Sequence, residues 1–253
     1  MALTVDLSGK VAIVTGGGRG IGRCIAIALA AAGADVAVAA RTEPQIKESE
    51  ELIHSKGRRA IAIQTDVTNK DQVVAMVEKT VTTLGGVHIL VNGAGITRPA
   101  PLLEYREEDW DYVMNANVKS MFLCTQAVGK YMVEQKYGKI INIASTGGEM
   151  AGPMNAAYHA SKAACILFTK SVALEWIRYN INVNAIGPGF VETELAKDFF
   201  PVENRKQATI KATPIRRFAK PEEIAPLVVF LASDLSSYMV GEHVIIDGGL
   251  IST

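Results

Sequence analysis

Long hydrophobic runs are missing from this 253-residue sequence. The longest apolar stretch, Cys24 to Ala34, has 11 residues, against the roughly 20 that a helix crossing a bilayer needs. Cysteine is scarce. The three present, Cys24, Cys124 and Cys165, are odd in number and show no C-x-x-C spacing, so they do not make a disulfide framework. Each falls in an apolar helical pattern and is expected as a buried, reduced thiol. An excess of charge of one sign is also absent: 26 basic residues offset 26 acidic ones. That balance excludes the basic footprint of a nucleic-acid or membrane-surface protein. His54, His88, His159 and His243 have no metal-ligand spacing with Cys or carboxylates, so no metal is expected. The N-terminal "MALTVDLSGK" lacks a basic segment followed by an apolar one and does not read as a secretory signal. The expectation is a soluble, cytoplasmic protein with no nucleic-acid or membrane partner.

What remains is an ordinary globular composition, 49% hydrophobic and 21% charged, long enough for one large domain with a sizeable core. Short β-branched runs alternate with longer helical patterns. Strands are expected at Val11–Thr15, Asp35–Ala40, "RAIAIQT", Val87–Asn92, Gly138–Ser145, Ile181–Ile186 and His243–Asp247. Helices are expected after Gly20, over Glu43 to Lys56, Lys70 to Thr83, Glu107 to Glu134 and Ala156 to Tyr179, and after Pro221. This alternation predicts an α/β fold: one doubly wound, Rossmann-type parallel sheet of about seven strands with helices on both faces. Residues 1–253 read as one domain. The least regular part, about residues 187–217, mixes Pro, Gly and charges and is expected to form a substrate loop or lid.

"VTGGGRGIG" joins the first strand to the first helix, with Gly16, Gly20 and Gly22 in a T-G-x-x-x-G-x-G spacing. Glycine there permits a sharp turn and close approach of a ligand to the backbone, and the helix start offers N–H groups to a pyrophosphate. The position predicts a dinucleotide site; a glycine-rich turn without a ligand is the plainer alternative. An NAD site usually ends its second strand with a carboxylate on the ribose 2′-hydroxyl. Here Ala39, Ala40, Arg41 and Thr42 stand there. Arg41, with Arg19 as a second candidate, suits a 2′-phosphate, so NADP is expected over NAD.

"AAYHASKAAC" places Tyr158 and Lys162 four residues apart, on one helical face. An ammonium beside a phenol favours the phenolate and makes a proton-transfer pair; the same spacing also arises by accident on a solvated face. Hydride transfer to a carbonyl develops negative charge on oxygen. A positioned Tyr can supply the proton and a Ser hydroxyl can stabilise the oxyanion.

Taken in order along the chain, "TGGGRGIG", Asp66-Val67, "NGAG" (Asn92–Gly95), "NANV" with Asn117, "NIAS" with Ser145, "YHASK", "GPGFVET", "RFAKPEEIA" and "DGG" resemble the short-chain dehydrogenase/reductase family over the whole length. The resemblance implies that Asn117, Ser145, Tyr158 and Lys162 are catalytic. Tyr158 would be the acid/base and Ser145 would bond the substrate oxygen. Lys162 would support Tyr158 and hold the nicotinamide ribose, and Asn117 would hold a relay water. Cofactor contacts would come from Gly16, Gly18, Arg19, Gly20, Ile21 and Gly22, from Arg41, from Asp66 and Val67 at the adenine, and from Asn92, Ala94 and Gly95 at the ribose. Pro188, Gly189, Val191 and Thr193 would hold the nicotinamide end. One departure is Gly93, where the family carries a second asparagine; the missing side-chain bond implies a small loss of stability.

The pattern is most similar to the 3-oxoacyl-acyl-carrier-protein reductases and related carbonyl reductases. This implies a ketone–alcohol oxidoreductase acting on an acyl-thioester or small carbonyl substrate, with a homotetramer built on the two long helices and the C-terminal end. A carrier-protein partner would need a basic patch, for which Lys130, Lys136, Lys139 and Arg178 are candidates. An NAD-linked alcohol or sugar dehydrogenase is the alternative within the family, and a non-catalytic dinucleotide sensor the alternative outside catalysis. Met150 and Met154 either face substrate or fill gaps, Phe199 and Phe200 either cap substrate or pack the lid, and His159 is expected to be structural.

Overall fold

Every residue of Val11–Thr15 is buried, which a strand achieves only when both faces of its sheet are covered. This strand, β1, pairs in parallel with β2 (Asp35–Ala40) on one side and β4 (Ile89–Asn92) on the other. With β3 (Ala60–Gln64), β5 (Gly138–Ile143), β6 (Ile181–Pro188) and β7 (His243–Ile246) they form one seven-stranded parallel sheet in the order β3-β2-β1-β4-β5-β6-β7. The computed structural model describes residues 4–199 and 203–252.

Alternation along β1 feeds two cores, as a period of two requires. Ala12 and Val14 pack on one face with Ile25 and Leu29 of α1 (Gly20–Ala31), Ile46 and Ile53 of α2 (Glu43–His54) and Val228 of α9 (Ala225–Leu231). Val11 and Ile13 pack on the other with Met76 of α3 (Lys70–Leu84), and with Val128 and Met132 of α5 (Ser120–Gln135). Each Val, Leu, Ile or Met among them contributes about 1.5–3 kcal/mol by leaving water. Local signals set the ends of α3. The Asn69 side chain accepts from the Asp71 and Gln72 N–H groups at 3.0 and 3.1 Å, and Gly85 closes the helix at φ 93°.

Two expectations are corrected. The helix expected over Glu107 to Glu134 is α4 (Glu107–Met114), a π-helical turn (Asn115–Lys119), then α5. The stretch at 187–217 is not simply irregular: Gly187 and Pro188 end β6, and α7 (Glu194–Phe199) and α8 (Glu203–Ala212) follow. Phe200 lies outside the described residues, and the side chain of Phe199 with it. The remaining helix, α6 (Ala156–Trp176), carries Tyr158 and Lys162.

Candidate active site

Strand order reverses between β1 and β4, and a crevice opens beyond the carboxyl ends of the strands at such a reversal. A cavity of about 910 Å³ lies there. It is lined by the glycine turn (Gly16, Gly18, Arg19, Gly20, Ile21, Gly22) and by Arg41, Asp66, Val67, Ala94, Gly95, Ser145, Tyr158, Lys162, Pro188, Gly189, Val191 and Thr193. The structure therefore gathers residues spread over most of the chain around one space. Asn92 and Asn117 are not among the lining residues.

The glycine turn is shaped for a ligand that approaches backbone. Gly16 has φ +69°, and a Cβ on it would sit 2.8 Å from the Gly93 carbonyl oxygen. Arg19 precedes α1 with an extended backbone and makes no side-chain cap bond, and the first turn of α1 has no acidic residue. The N–H groups that open α1 thus face the cavity without a carboxylate or hydroxyl of their own chain capping them. That arrangement fits a pyrophosphate. Beyond it, Arg41 lies on the rim, its carbonyl accepting from Gln64 Nε2 at 2.9 Å. No carboxylate stands at the end of β2 to meet a 2′-hydroxyl, so the residues present fit a phosphorylated ribose.

Asp66 is held by Thr68, whose N–H and Oγ1 donate to Oδ1 at 2.9 and 2.7 Å. Burial raises its carboxyl, but these bonds and the Arg41 charge outweigh it and keep the group below the usual carboxylate range. The turn after β4 is steadied by Thr15, a residue the sequence reading missed. Its Oγ1 accepts from the Gly93 and Ala94 N–H groups at 3.1 and 3.4 Å. Gly93 itself packs closely on that turn: a Cβ there would lie 2.7 Å from the Thr15 carbonyl oxygen.

The polar end is built on β5 and α6. Tyr158 and Lys162 are 8% and 6% exposed, and the Lys162 ammonium lies 5.7 Å from the centre of the Tyr158 ring. Nζ donates to the Ile143 carbonyl at 2.7 Å, which leaves two of its three N–H donors for other work. A Cβ on Gly95 would sit 3.5 Å from both Lys162 Nζ and Asn117 Oδ1. Ser145 Oγ accepts from the Gly147 N–H at 3.0 Å, so its own proton stays available to donate.

Asn117 stands behind these groups. Its Oδ1 accepts from Ile96 N–H at 2.8 Å, and its Nδ2 donates to Ile96 O and Ser161 Oγ at 2.9 Å each. Asn92 is 6% exposed, and its Nδ2 donates to Thr125 Oγ1 and Asn142 Oδ1. Its amide nitrogen is thus spent on the interior, while its buried Oδ1 has no hydrogen-bond partner among the described residues. His159 ties the loop after β5: its Nδ1 is 2.8 Å from Gly147 O, and its Nε2 accepts from Gly152 N–H at 3.2 Å. Met150 lines the cavity with Ala151, Gly152 and Pro153. Met154 is outside the lining set, and its carbonyl accepts from Ala100 N–H at 2.9 Å.

The basic patch expected of Lys130, Lys136, Lys139 and Arg178 does not serve this cavity. Lys139 is 2% exposed, with Nζ bonded to Asn182 Oδ1 at 2.9 Å. Lys136 and Arg178 are exposed just before β5 and β6 begin, at the end of the sheet opposite the cavity. Among the described residues no group of three or more His, Cys, Asp or Glu could hold a metal ion, and no helix is long and apolar enough to cross a membrane.

A family model described as Enoyl-(Acyl carrier protein) reductase matches residues 16–251. The 3-oxoacyl-[acyl-carrier-protein] reductase FabG of Thermotoga maritima is 41% identical over 249 residues, 97% of this chain and 99% of its own. Among solved structures, a short-chain type dehydrogenase/reductase from Mycobacterium marinum is 38% identical, with a TM-score of 0.94 and 98% of both chains covered. A gluconate 5-dehydrogenase from Burkholderia cenocepacia, solved with NADP and tartrate, is 36% identical at the same TM-score and coverage.

Proposed function

The chain belongs to the short-chain dehydrogenase/reductase family, and from that premise we propose that its cavity interconverts a ketone and a secondary alcohol with Tyr158 as acid/base. The protein is an oxidoreductase acting on CH–OH groups with NADP as acceptor. When bound, the cofactor would supply the redox chemistry, the oxidised form accepting a hydride and the reduced form donating one. The chain's own residues handle the oxygen. Ser145, with its oxygen occupied by Gly147 N–H, donates to the substrate oxygen. Tyr158 passes the proton to or from that same oxygen. Lys162, buried beside the phenol, keeps a positive charge against developing phenolate and holds ribose hydroxyls with the donors that Ile143 leaves over. Asn117 acts from behind, fixing Ile96 and Ser161 and so the spacing between the β4 turn and α6.

The observation that carries this reading is the convergence of Ser145, Tyr158 and Lys162 on the cavity that the glycine turn also lines. The substrate is an acyl-thioester or small carbonyl compound. A 3-oxoacyl thioester is favoured by the 41% identity to the reductase of Thermotoga maritima, and a sugar acid by the gluconate 5-dehydrogenase at a TM-score of 0.94. The chain would act as one dinucleotide-binding and catalytic unit over residues 1–253, in the cytoplasm, and as a homotetramer. Leu102, Leu103, Trp110 and Phe122, near and on α4 and α5, and Leu167 and Leu174 on α6 are exposed apolar residues that such an assembly would cover. A monomer peak in sizing chromatography would rule the tetramer out.

The test follows absorbance of reduced nicotinamide with NADPH and with NADH over a panel containing a 3-oxoacyl thioester and 5-ketogluconate. Turnover with NADPH is expected, and Tyr158→Phe is expected to reduce it by a factor of about 10²–10⁴. Tight NADPH binding without turnover on any ketone would instead support a non-catalytic dinucleotide sensor. Turnover with NADH alone would favour the NAD-linked dehydrogenase reading.

A further inference from the structure

Arg41 does not stand alone at the cavity rim. Its Nη1 donates to the Tyr112 hydroxyl at 3.0 Å. Tyr112 comes from α4, 71 residues further along the chain, and also lines the cavity. On the same ring lies a second guanidinium: Arg98 Cζ is 5.2 Å from the Tyr112 ring centre, within cation–π range. Arg98 lines the cavity too. One phenol therefore gathers two arginines that would otherwise repel. The backbone of Arg41 is pinned as well, by Gln64. The acid that could divert its side chain, Asp66, has its Oδ1 engaged twice by Thr68.

The geometry points to Tyr112 as the positioning residue for 2′-phosphate recognition: its hydroxyl holds the Arg41 guanidinium at the cavity, while its ring holds Arg98 beside it. The inference rests on the NADP reading above. An arginine side chain loses much rotamer freedom when it meets a phosphate, and a guanidinium already held in place loses less on binding. The hydroxyl thus acts on NADP and not on NAD, because only the former carries the group that Arg41 meets. Nothing in the residue's own chemistry makes it a catalytic group.

The test is a double-mutant cycle read by equilibrium binding, with no substrate present. Dissociation constants for NADPH and NADH are measured by nicotinamide fluorescence for the parent, Tyr112→Phe, Arg41→Ala and the double variant. Phenylalanine keeps the ring, its packing and the Arg98 contact, and removes only the hydroxyl. Loss of the hydroxyl that orders the Arg41 side chain in advance is expected to weaken NADPH binding about three- to tenfold in Tyr112→Phe and to leave NADH within twofold. In the Arg41→Ala background the same change is expected to do nothing further, since the group it positions is gone. An unchanged NADPH to NADH ratio in Tyr112→Phe, equal weakening of both, or a full effect persisting without Arg41 would each overturn the inference. Failure of the underlying NADP reading looks different: the parent itself would bind NADH as well as NADPH, and Arg41→Ala would change neither. Thermal unfolding of each variant separates misfolding from loss of binding.

Discussion

At the scale of single residues, glycine shows how one symbol covers two physical demands. Gly16 and Gly57 both have positive φ, +69° and +74°. A Cβ on Gly16 would press on the Gly93 carbonyl oxygen and the Ala94 nitrogen, whereas one on Gly57 would meet nothing within 4 Å. Gly57→Ala should therefore cost only backbone strain, about 1 kcal/mol, and leave NADPH affinity unchanged. Gly16→Ala adds a steric push between the β1 and β4 turns. It should cost about 2–4 kcal/mol and weaken NADPH binding at least tenfold. Urea denaturation and fluorescence titration of the two variants check both halves; equal losses of affinity would show that the close approach at Gly16 does not matter. The glycine turn was legible in the sequence because its spacing is local. Lys139 was not: its burial depends on Asn182 and on Asp234, 3.7 Å away, both brought in by folding. Asn92 shows the same limit, since its partners Thr125 and Asn142 lie 33 and 50 residues away.

At the scale of elements, all seven strands and most helices were legible, because buried parallel strands read as continuous apolar runs and helices carry their own periodicity and caps. Two features were hidden. The sequence of α8, "ENRKQATIKA", has three apolar residues, Ala208, Ile210 and Ala212, whose alternating spacing offers no helical stripe to read. The π-helical turn at Asn115–Lys119 leaves the apolar pattern of a long helix nearly intact while changing its phase. That turn carries Asn117 to Ile96 and Ser161, so a role legible as a motif was illegible as geometry. Removing the amide in Asn117→Ala leaves the Ile96 N–H and carbonyl without their partner. Unmet polar groups of that kind cost about 1–3 kcal/mol each. The variant should unfold about 2–4 kcal/mol more easily in urea and turn over its ketone at least tenfold more slowly. Unchanged stability would mean that water replaces the amide without loss.

At the scale of the whole molecule, the two ends of the sheet do different work. The carboxyl end holds the cavity, and the amino end closes around His88. The imidazole Nδ1 accepts from Val11 N–H at 3.1 Å, the backbone of His88 bridges β1 and β5, and Tyr137 packs edge-on 6.2 Å away. Lys10 lies over Tyr137, and Lys139 and Asp234 complete the charged surroundings. Burial, and then the Lys10 charge, hold the His88 imidazole below its ordinary value. Protonation would also turn Nδ1 from acceptor to donor and break the bond from Val11. In the unfolded chain His88 protonates at about 6.5. The unfolded state therefore binds the extra proton first, and stability falls as pH drops below that value. The contribution is fully present above it and is lost as pH falls through the lower, folded value. His88→Asn offers a non-titrating oxygen to Val11 N–H, so its unfolding free energy should vary less between pH 5 and 7 than the parent's. Denaturation across that range tests this, and parallel pH profiles would refute it. Because His88 sits at the end of the strands away from the cavity, the variant should also bind NADPH as the parent does. A change in affinity would mean that strain at the amino end of the sheet reaches the site through β1 and β4.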